Sequence, residues 1–192
     1  MTHAPFVSAA PGGPMARLMA PAGRATAGVF AALFLAIGAH MPFWPVWLAD
    51  WGLAEAEIGA YLGLAILARI AAGVAAPWLA DMLGARRWAL ALLGALGAAA
   101  FLAHAVVETR PALFALTLLT AVAISGSIPI SDALASAASE RFGFAYAHVR
   151  ALGSAAFLAG NLGAGAAVWL LGPQAALDRK STRLNSSHVC SS

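Results

Sequence analysis

Charged residues are scarce in this 192-residue sequence. Asp, Glu, Lys and Arg make up 10% of its residues, whereas a soluble domain carries about 25%. Apolar residues make up 61%, but the shortage of charge is what excludes a soluble fold. Lysine occurs once, at Lys180. The arginines lie mostly in short links, which is typical of an orientation signal in a membrane protein, so we expect no nucleic acid as a partner.

Cysteine and catalytic motifs are scarce as well. Cys190 is the single cysteine, which excludes an intrachain disulfide framework and a thiol-ligand cluster. The sequence has no metal-ligand spacing, no HExxH, no GxSxG and no phosphate-binding loop. Ser154 follows a glycine but has no base near it in the sequence, so an intramembrane hydrolase is a weak alternative. We therefore expect a protein that is not an enzyme and that holds no metal and no cofactor.

The sequence has instead five apolar segments, each close to the ~20 residues that cross a bilayer as a helix. The segments cover roughly residues 26–48, 58–79, 88–107, 111–134 and 149–171. They predict an all-α membrane protein, a bundle of five transmembrane helices within residues 25–172. Residues 1–24 are rich in Pro, Ala and Gly and lack a charged stretch followed by an apolar run, so we interpret them as a disordered cytoplasmic tail, not a signal peptide.

The arginines between the segments predict the orientation of the bundle. With five crossings, the tail, the turn 81–87 and the link 136–148 lie on one side of the membrane. That side holds five arginines, Arg17, Arg24, Arg86, Arg87 and Arg141. The other side holds Arg110 among four acidic residues, Asp50, Glu55, Glu57 and Glu108. Because arginine-rich links stay in the cytoplasm, we expect a multi-pass protein of the cell inner membrane, surrounded by membrane lipid, with a cytoplasmic N-terminus.

The character of the sequence changes abruptly after residue 172. Residues 178–188 are polar and serine-rich, and they resemble the translated adapter sequence found at the ends of some assembled genes. We therefore expect residues 173–192 to be non-native or disordered, and the natural protein to have been cut off here.

Three charged residues, Arg69, Asp132 and Arg150, lie within or at the ends of apolar segments, where a charge costs roughly 2.5–3.5 kcal/mol. Arg69 is about 16 Å from either end of its segment at ~1.5 Å per residue, too deep for easy snorkelling. We expect it to face a central cavity, with a structural pair to an acid as the alternative. Asp132 ends one segment and Arg150 starts the next, across the link 136–148. They either anchor helix ends or hold a solute, since a guanidinium binds a carboxylate through two parallel hydrogen bonds.

The end of the first segment is unusual, because Pro42 and Pro45 remove backbone donors and distort a helix. Tryptophans follow at Trp44, Trp47 and Trp51. They predict an aromatic belt at the membrane interface, with cavity lining as the alternative for Trp44. We interpret His40 and His104 as hydrogen-bonded histidines near that interface, in preference to a proton relay.

The turn after the second segment resembles that of the major facilitator superfamily, in which an acidic residue ends the second helix and glycine and basic residues follow. The matching residues are Asp81, Gly84, Arg86 and Arg87. The sequence departs from the pattern at three positions, Pro77, Met82 and Ala85. The resemblance implies charge pairing that locks a cytoplasmic gate.

A wider resemblance covers residues 26–172. Gly38 to Asp50 is similar to the first-helix signature of lactose-permease-like symporters. Five further strings are similar to the 3-phenylpropionate permease branch, namely 52–53, 57–59, 67–69, 129–134 and 149–157. The 18-residue separation of Asp132 and Arg150 also matches lactose permease. The resemblance implies that these two residues bind substrate and that Phe157 stacks on it. The predicted substrate-binding residues are Arg69, Asp132, Arg150, Phe157 and Trp44.

The same resemblance implies a proton-coupled carrier with twelve helices in two six-helix halves, of which this chain supplies five, an incomplete N-terminal half of a major facilitator fold. We therefore predict secondary transport of a small organic solute, an aromatic acid in first place, by alternating access. The partners are the solute, protons and the missing C-terminal half of the same transporter, and the fragment alone is expected to be inactive. The alternative is a small five-helix membrane protein with a structural or partner-binding role.

Overall fold

The computed structural model describes residues 13–171, which form α-helices and no β-strand in that range. The helices are α1 (Pro14–Leu18), α2 (Pro21–His40), α3 (Trp44–Asp50), α4 (Glu55–Met82), α5 (Arg86–Ala103), α6 (Arg110–Phe142) and α7 (Tyr146–Leu171). Residues 1–12 and the predicted non-native or disordered segment 173–192 lie outside the described residues.

Five of these helices, α2, α4, α5, α6 and α7, are long and apolar enough to cross a membrane. The prediction of an all-α bundle with five membrane helices is therefore confirmed. We call the face where α2 begins the proximal face; it also holds the α4–α5 turn and the α6–α7 connection. The opposite, distal face holds α3 and the α5–α6 connection.

Helix α6 is the centre of the bundle. It packs against α4, α5 and α2, and nine of its residues are buried. Small residues allow this approach: a Cβ added to Gly126 would lie 2.9 Å from the Cβ of Ala76 in α4. Helix α5 packs mainly on α6 and leaves Trp88 and Leu102 exposed, as expected of side chains that face lipid.

Helices α2 and α7 run side by side and touch through their backbones. A Cβ added to Gly38 would overlap the carbonyl group of Phe157, and one added to Gly160 would overlap that of Leu35. Glycine is needed at both positions because any side chain would push the two helices apart.

The first predicted segment, 26–48, is broken in the structure. Helix α2 ends at His40, residues 41–43 form a turn, and α3 begins at Trp44. Pro45 lies in the first turn of α3, where a missing N–H costs no helical hydrogen bond. Helix α3 contributes to an apolar cluster at the distal face, made of Trp44, Trp47, Leu48, Leu53 and Leu113.

The predicted link 136–148 is wrong for most of its length. Helix α6 continues to Phe142, Gly143 ends it with a left-handed backbone (φ 72°), and α7 begins at Tyr146. With 33 residues, α6 is about 50 Å long, longer than the ~30 Å hydrocarbon layer. Its polar last turns therefore extend beyond that layer, where hydropathy does not reveal a helix. Asp132 consequently lies inside α6 and not at its end.

Part of the segment expected to be a disordered tail is helical. Residues 13–24 include α1 and the first turn of α2. Leu18 is buried in a cluster with Phe144, and Nη1 of Arg17 donates a 3.4 Å hydrogen bond to the carbonyl of Gly143. Burial of a leucine side chain stabilises by about 1.5–3 kcal/mol, which explains why this stretch packs under the α6–α7 connection.

Candidate functional site

A cavity of about 190 Å³ lies between α2, α3, α4 and α6, from the middle of the bundle towards the distal face. Its polar lining comes from His40, Trp44, Arg69 and Thr117. Aliphatic side chains form much of the remaining wall, Ile37, Leu62, Ile66 and Ile124 among them. A mainly apolar wall with a few polar groups is the usual form of a site for a small organic molecule.

Arg69 lies near the middle of α4, about 20 Å from either helix end. Its Nε donates a 3.2 Å hydrogen bond to Oγ of Ser125 in α6. Within residues 13–171 no Asp or Glu pairs with Arg69. The arginine is therefore on a cavity wall, and its hydrogen-bond partner is a neutral hydroxyl. A guanidinium in this state keeps its full positive charge available to an anion.

The aromatic end of the cavity is buried. Trp44 and Trp47 are only 7% and 6% exposed, and their stacked rings lie 4.7 Å apart. The predicted interfacial belt is therefore wrong for these two tryptophans, because α3 folds back over the distal end of the bundle. Two histidines flank Trp44, with His40 at 4.3 Å and His104 at 4.6 Å between ring centroids.

A second charged group, made of Asp132, Tyr146 and Arg150, lies closer to the proximal face. Oδ1 of Asp132 accepts a 3.0 Å hydrogen bond from Nη1 of Arg150 and a 2.6 Å hydrogen bond from the hydroxyl of Tyr146. Nη1 of Arg150 also lies 3.4 Å from the oxygen of Tyr146. Asp132 and Arg150 thus neutralise each other. Sequence reasoning missed Tyr146, although its place four residues before Arg150, on the same helix face, was an available signal.

The two groups are separate in the structure. Ser125, the partner of Arg69, and Asp132 are seven residues apart on α6, about 10 Å along the axis. Asp132, Arg150 and Phe157 do not line the cavity of Arg69. Phe157 is half-buried in α7, where its backbone meets α2. The structure therefore distributes the predicted substrate residues over two regions.

Comparison with known proteins decides the family. The model of the MFS_1 like family matches residues 26–175, which is most of the chain. The chain belongs to the MFS_1 like family. As a family member with five apolar helices, it is a multi-pass membrane protein of a transporter family, and the resemblance to the major facilitator superfamily is confirmed.

A curated relative of this MFS_1 like protein is the probable 3-phenylpropionic acid transporter of Escherichia coli (strain K12), which is 36% identical over 132 residues. The match covers 67% of this chain and 34% of the relative, so the chain spans about a third of the relative's length. This similarity confirms the 3-phenylpropionate branch. No solved structure gives a significant match.

The gating residues predicted for this MFS_1 like protein form one cluster in the α4–α5 turn. Gly84 has a left-handed φ of 60°, which glycine adopts freely, and so lets the chain reverse after Met82. Nε of Arg86 donates a hydrogen bond to Oδ1 of Asp81 across the turn. These two side chains are about half exposed, and Arg87 is exposed beside them. Their charges are therefore accessible to another surface at the proximal face.

An ion pair that sequence reasoning missed lies at the distal face of the MFS_1 like bundle. Nη1 of Arg110 donates a 2.7 Å hydrogen bond to Oε1 of Glu57. Nη2 of Arg110 lies 3.4 Å from the carbonyl oxygen of Gly52, and the hydroxyl of Tyr61 donates to the carbonyl of Arg110 over 3.1 Å. The pair ties the starts of α4 and α6 to the α3–α4 turn. The opposite charges of these two distal links were the only sequence signal for it.

Proposed function

We propose that this protein takes part in proton-coupled secondary transport of a small organic solute, an aromatic acid, by alternating access. The observation that carries the proposal is the guanidinium of Arg69, at mid-membrane depth on the wall of a cavity, with the hydroxyl of Ser125 as its hydrogen-bond partner among the described residues. An intramembrane charge without a counter-ion is costly, and a carboxylate solute would neutralise it. The Escherichia coli relative, a probable 3-phenylpropionic acid transporter, supports the same chemical class.

An aromatic acid suits both kinds of lining in this cavity. The terminal nitrogens of a guanidinium can hold a carboxylate through two parallel hydrogen bonds. The indole of Trp44 and the imidazole of His40 supply flat rings on the same wall. Aromatic rings pack favourably at about 4.5–7 Å between centroids, so the phenyl group of the solute has partners beside its carboxylate.

In this proposal Asp132, Arg150 and Phe157 contact the solute in the proximal part of its path. Transporters of this architecture rock around a site near the membrane midplane and expose it to each face in turn. The Asp132–Arg150 pair opens as the solute passes, and Arg150 exchanges the carboxylate of Asp132 for that of the solute.

The proximal face is cytoplasmic in this proposal and the membrane is the cell inner membrane. The described residues of the proximal links and helix ends include Arg17, Arg24, Arg86, Arg87 and Arg141. The distal links carry Arg110, and that charge is paired with Glu57. Positive charge concentrates in cytoplasmic links. The exposed Asp81, Arg86 and Arg87 then lock the cytoplasmic gate against a C-terminal half of the transporter.

Uptake of radiolabelled 3-phenylpropionate tests the proposed function. The gene is expressed as it stands in genomic DNA, with any codons beyond 172, in cells without a carrier of their own for this acid. We expect saturable uptake that an inward proton gradient stimulates and that aromatic acids inhibit more than sugars or nucleosides. Arg69→Ala should abolish uptake, and the matched variant Arg141→Ala, at an exposed arginine, should retain it. Full-rate uptake by Arg69→Ala would overturn the proposal, and full-rate uptake by Arg150→Ala would remove Arg150 from the site.

The same genomic DNA separates the carrier from the alternative, a small membrane protein with a structural or partner-binding role. A reading frame that continues for about seven further apolar spans supports the carrier. A stop codon shortly after the polar tail supports the small protein.

A further inference from the structure

His40 is a cavity residue, and the hydrogen bond that the sequence suggested for it is not found among the described residues. It ends α2 and lines the cavity together with Arg69. Its ring contacts Trp44 at 4.3 Å and Phe101 at 5.7 Å between centroids. Within residues 13–171 neither ring nitrogen of His40 has a hydrogen-bond partner. The imidazole can therefore take up a proton from water in the cavity without breaking an existing hydrogen bond.

His104, on the other side of Trp44, is a different kind of histidine. It is 2% exposed, and its Nδ1 lies 2.7 Å from the carbonyl oxygen of Ala100, so Nδ1 carries the proton. Its Nε2 is buried and has no partner among the described residues. A proton added there would create a buried, unpaired charge, which is costly. His104 is thus a neutral residue that packs against Trp44 without lining the cavity, whereas His40 lines the cavity itself.

The charged and titratable groups that face His40 are Arg69 from α4 and His104 from the end of α5. The other side chains that contact His40 or line the cavity with it are uncharged, Trp44 from α3, Phe101 from α5 and Thr117 from α6. No acidic side chain of the described residues lines this cavity. While the cavity holds no anion, the positive charge of Arg69 therefore opposes a second positive charge on His40.

We propose that His40 is the proton-binding site of this protein and that it takes up its proton together with a carboxylate held by Arg69. This inference rests on the proposed function and deepens it. A carboxylate on Arg69 cancels the charge that opposes protonation of the imidazole and adds a negative neighbour. The protonated imidazole in turn gives the carboxylate a second cation. Because linkage between two sites is reciprocal, the anion and the proton each strengthen the binding of the other.

This arrangement couples the two ions without a separate relay. One proton moves from water to a ring nitrogen of His40, one carboxylate moves to Arg69, and the loaded cavity gains no net charge. The empty cavity holds neither ion firmly, and the doubly loaded cavity is the favoured state. A cavity that loads and unloads both ions together provides the coupling that symport requires.

Binding of radiolabelled 3-phenylpropionate to the protein encoded by the genomic reading frame, with any codons beyond 172, in lipid nanodiscs from about pH 5.5 to about pH 8, tests the inference. The probe is ionised over most of this range, because a carboxyl group titrates near about pH 4.3. We expect the wild-type Kd to fall about tenfold as the pH falls. His40→Gln should bind with a Kd that is independent of pH and close to the wild-type value at high pH. His40→Lys, whose charge persists throughout, should bind with the wild-type affinity of low pH.

The matched control is His104→Gln, which should keep the pH dependence because His104 binds no proton in this scheme. Calorimetry in buffers of different ionisation enthalpy gives a second readout: proton uptake on binding by the wild type and none by His40→Gln. Far-UV circular dichroism of each variant separates loss of binding from loss of helices. A wild-type chain that binds the probe at no pH overturns the proposed function and the inference together. Binding by His40→Gln that retains the wild-type pH dependence overturns the inference alone.

Discussion

Arg69 and Arg150 both lie on membrane helices, and their surroundings differ in charge. Arg69 donates to the neutral hydroxyl of Ser125 and lines a cavity. Arg150 donates to the carboxylate of Asp132, which the hydroxyl of Tyr146 also contacts. The first group carries a net positive charge and the second carries none. The difference teaches that the partner of an intramembrane arginine, more than the arginine itself, decides whether the group is ready to receive an anion.

The largest effect on solute binding is expected when Arg69 is given a carboxylate partner, as Arg150 has in Asp132. In Ser125→Asp a carboxylate replaces the hydroxyl that now lies 3.2 Å from Nε of Arg69, so the cavity becomes neutral from within. We expect binding of 3-phenylpropionate to weaken roughly 10- to 100-fold, since a hydrogen bond to a charged group contributes about 1.5–3 kcal/mol. Equilibrium dialysis with the labelled acid measures this.

Ser125→Ala is the matched control, because it removes the same hydroxyl without adding charge. It should weaken binding less than about tenfold. Equal binding by Ser125→Asp and the wild type would show that the anion does not depend on the charge of Arg69, and the contrast between the two arginines would lose its functional meaning.

A smaller effect, on stability, is expected when one hydrogen bond is removed from the group of Asp132, Tyr146 and Arg150. Tyr146→Phe deletes the 2.6 Å hydrogen bond to Asp132 and leaves the ion pair in place. We expect a loss of about 1–2 kcal/mol in the free energy of unfolding, measured by denaturant titration in detergent. Tyr61→Phe, which deletes a 3.1 Å hydrogen bond to the neutral carbonyl of Arg110, is the control and should lose less. A larger loss of unfolding free energy in Tyr61→Phe than in Tyr146→Phe would show that the charge of Asp132 does not strengthen its hydrogen bond.

The smallest effect on stability is expected at the α4–α5 turn. Asp81→Asn removes a pair whose side chains are 49% and 45% exposed, and an exposed ion pair contributes little to stability because water and salt screen it. The thermal midpoint should change little, and the change should shrink further at high salt. Glu57→Gln in the half-exposed distal pair is the parallel case. A clear fall in the thermal midpoint of Asp81→Asn that does not depend on salt would place this pair with the intramembrane groups.

The five membrane helices could be predicted from sequence because a helix in lipid must satisfy its own backbone hydrogen bonds, which makes the length of an apolar run informative. Helix ends could not, since hydropathy reports the lipid layer and not the helix. Helix α6 therefore extends to Phe142, well past the apolar run that ends near residue 134. Helix α3 could not be predicted either, because tryptophans occur both at membrane interfaces and in buried clusters.

The candidate site could be predicted only for a residue whose depth in the membrane decides its surroundings. Arg69 is too far from either membrane face to snorkel, so its position in the sequence predicted a place inside the bundle, on a cavity wall or paired with an acid. The environments of His40, Trp44 and Tyr146 depend on which helices lie beside them. That information is in the packing of α3 over the distal end and of α7 against α6, and no local pattern carries it.

Helices α2 and α7 behave as one lever. Gly38 lies against Phe157 and Gly160 lies against Leu35, with no layer of side chains between the two backbones. Sliding either helix along the other would drive main-chain atoms into each other, because close-packed interiors do not yield continuously. His40 is at the distal tip of this lever and Arg150 is near its proximal tip. In the transport cycle that we propose, a tilt of this rigid pair would widen the space at one tip and narrow it at the other, so that the two arginine regions would open in turn.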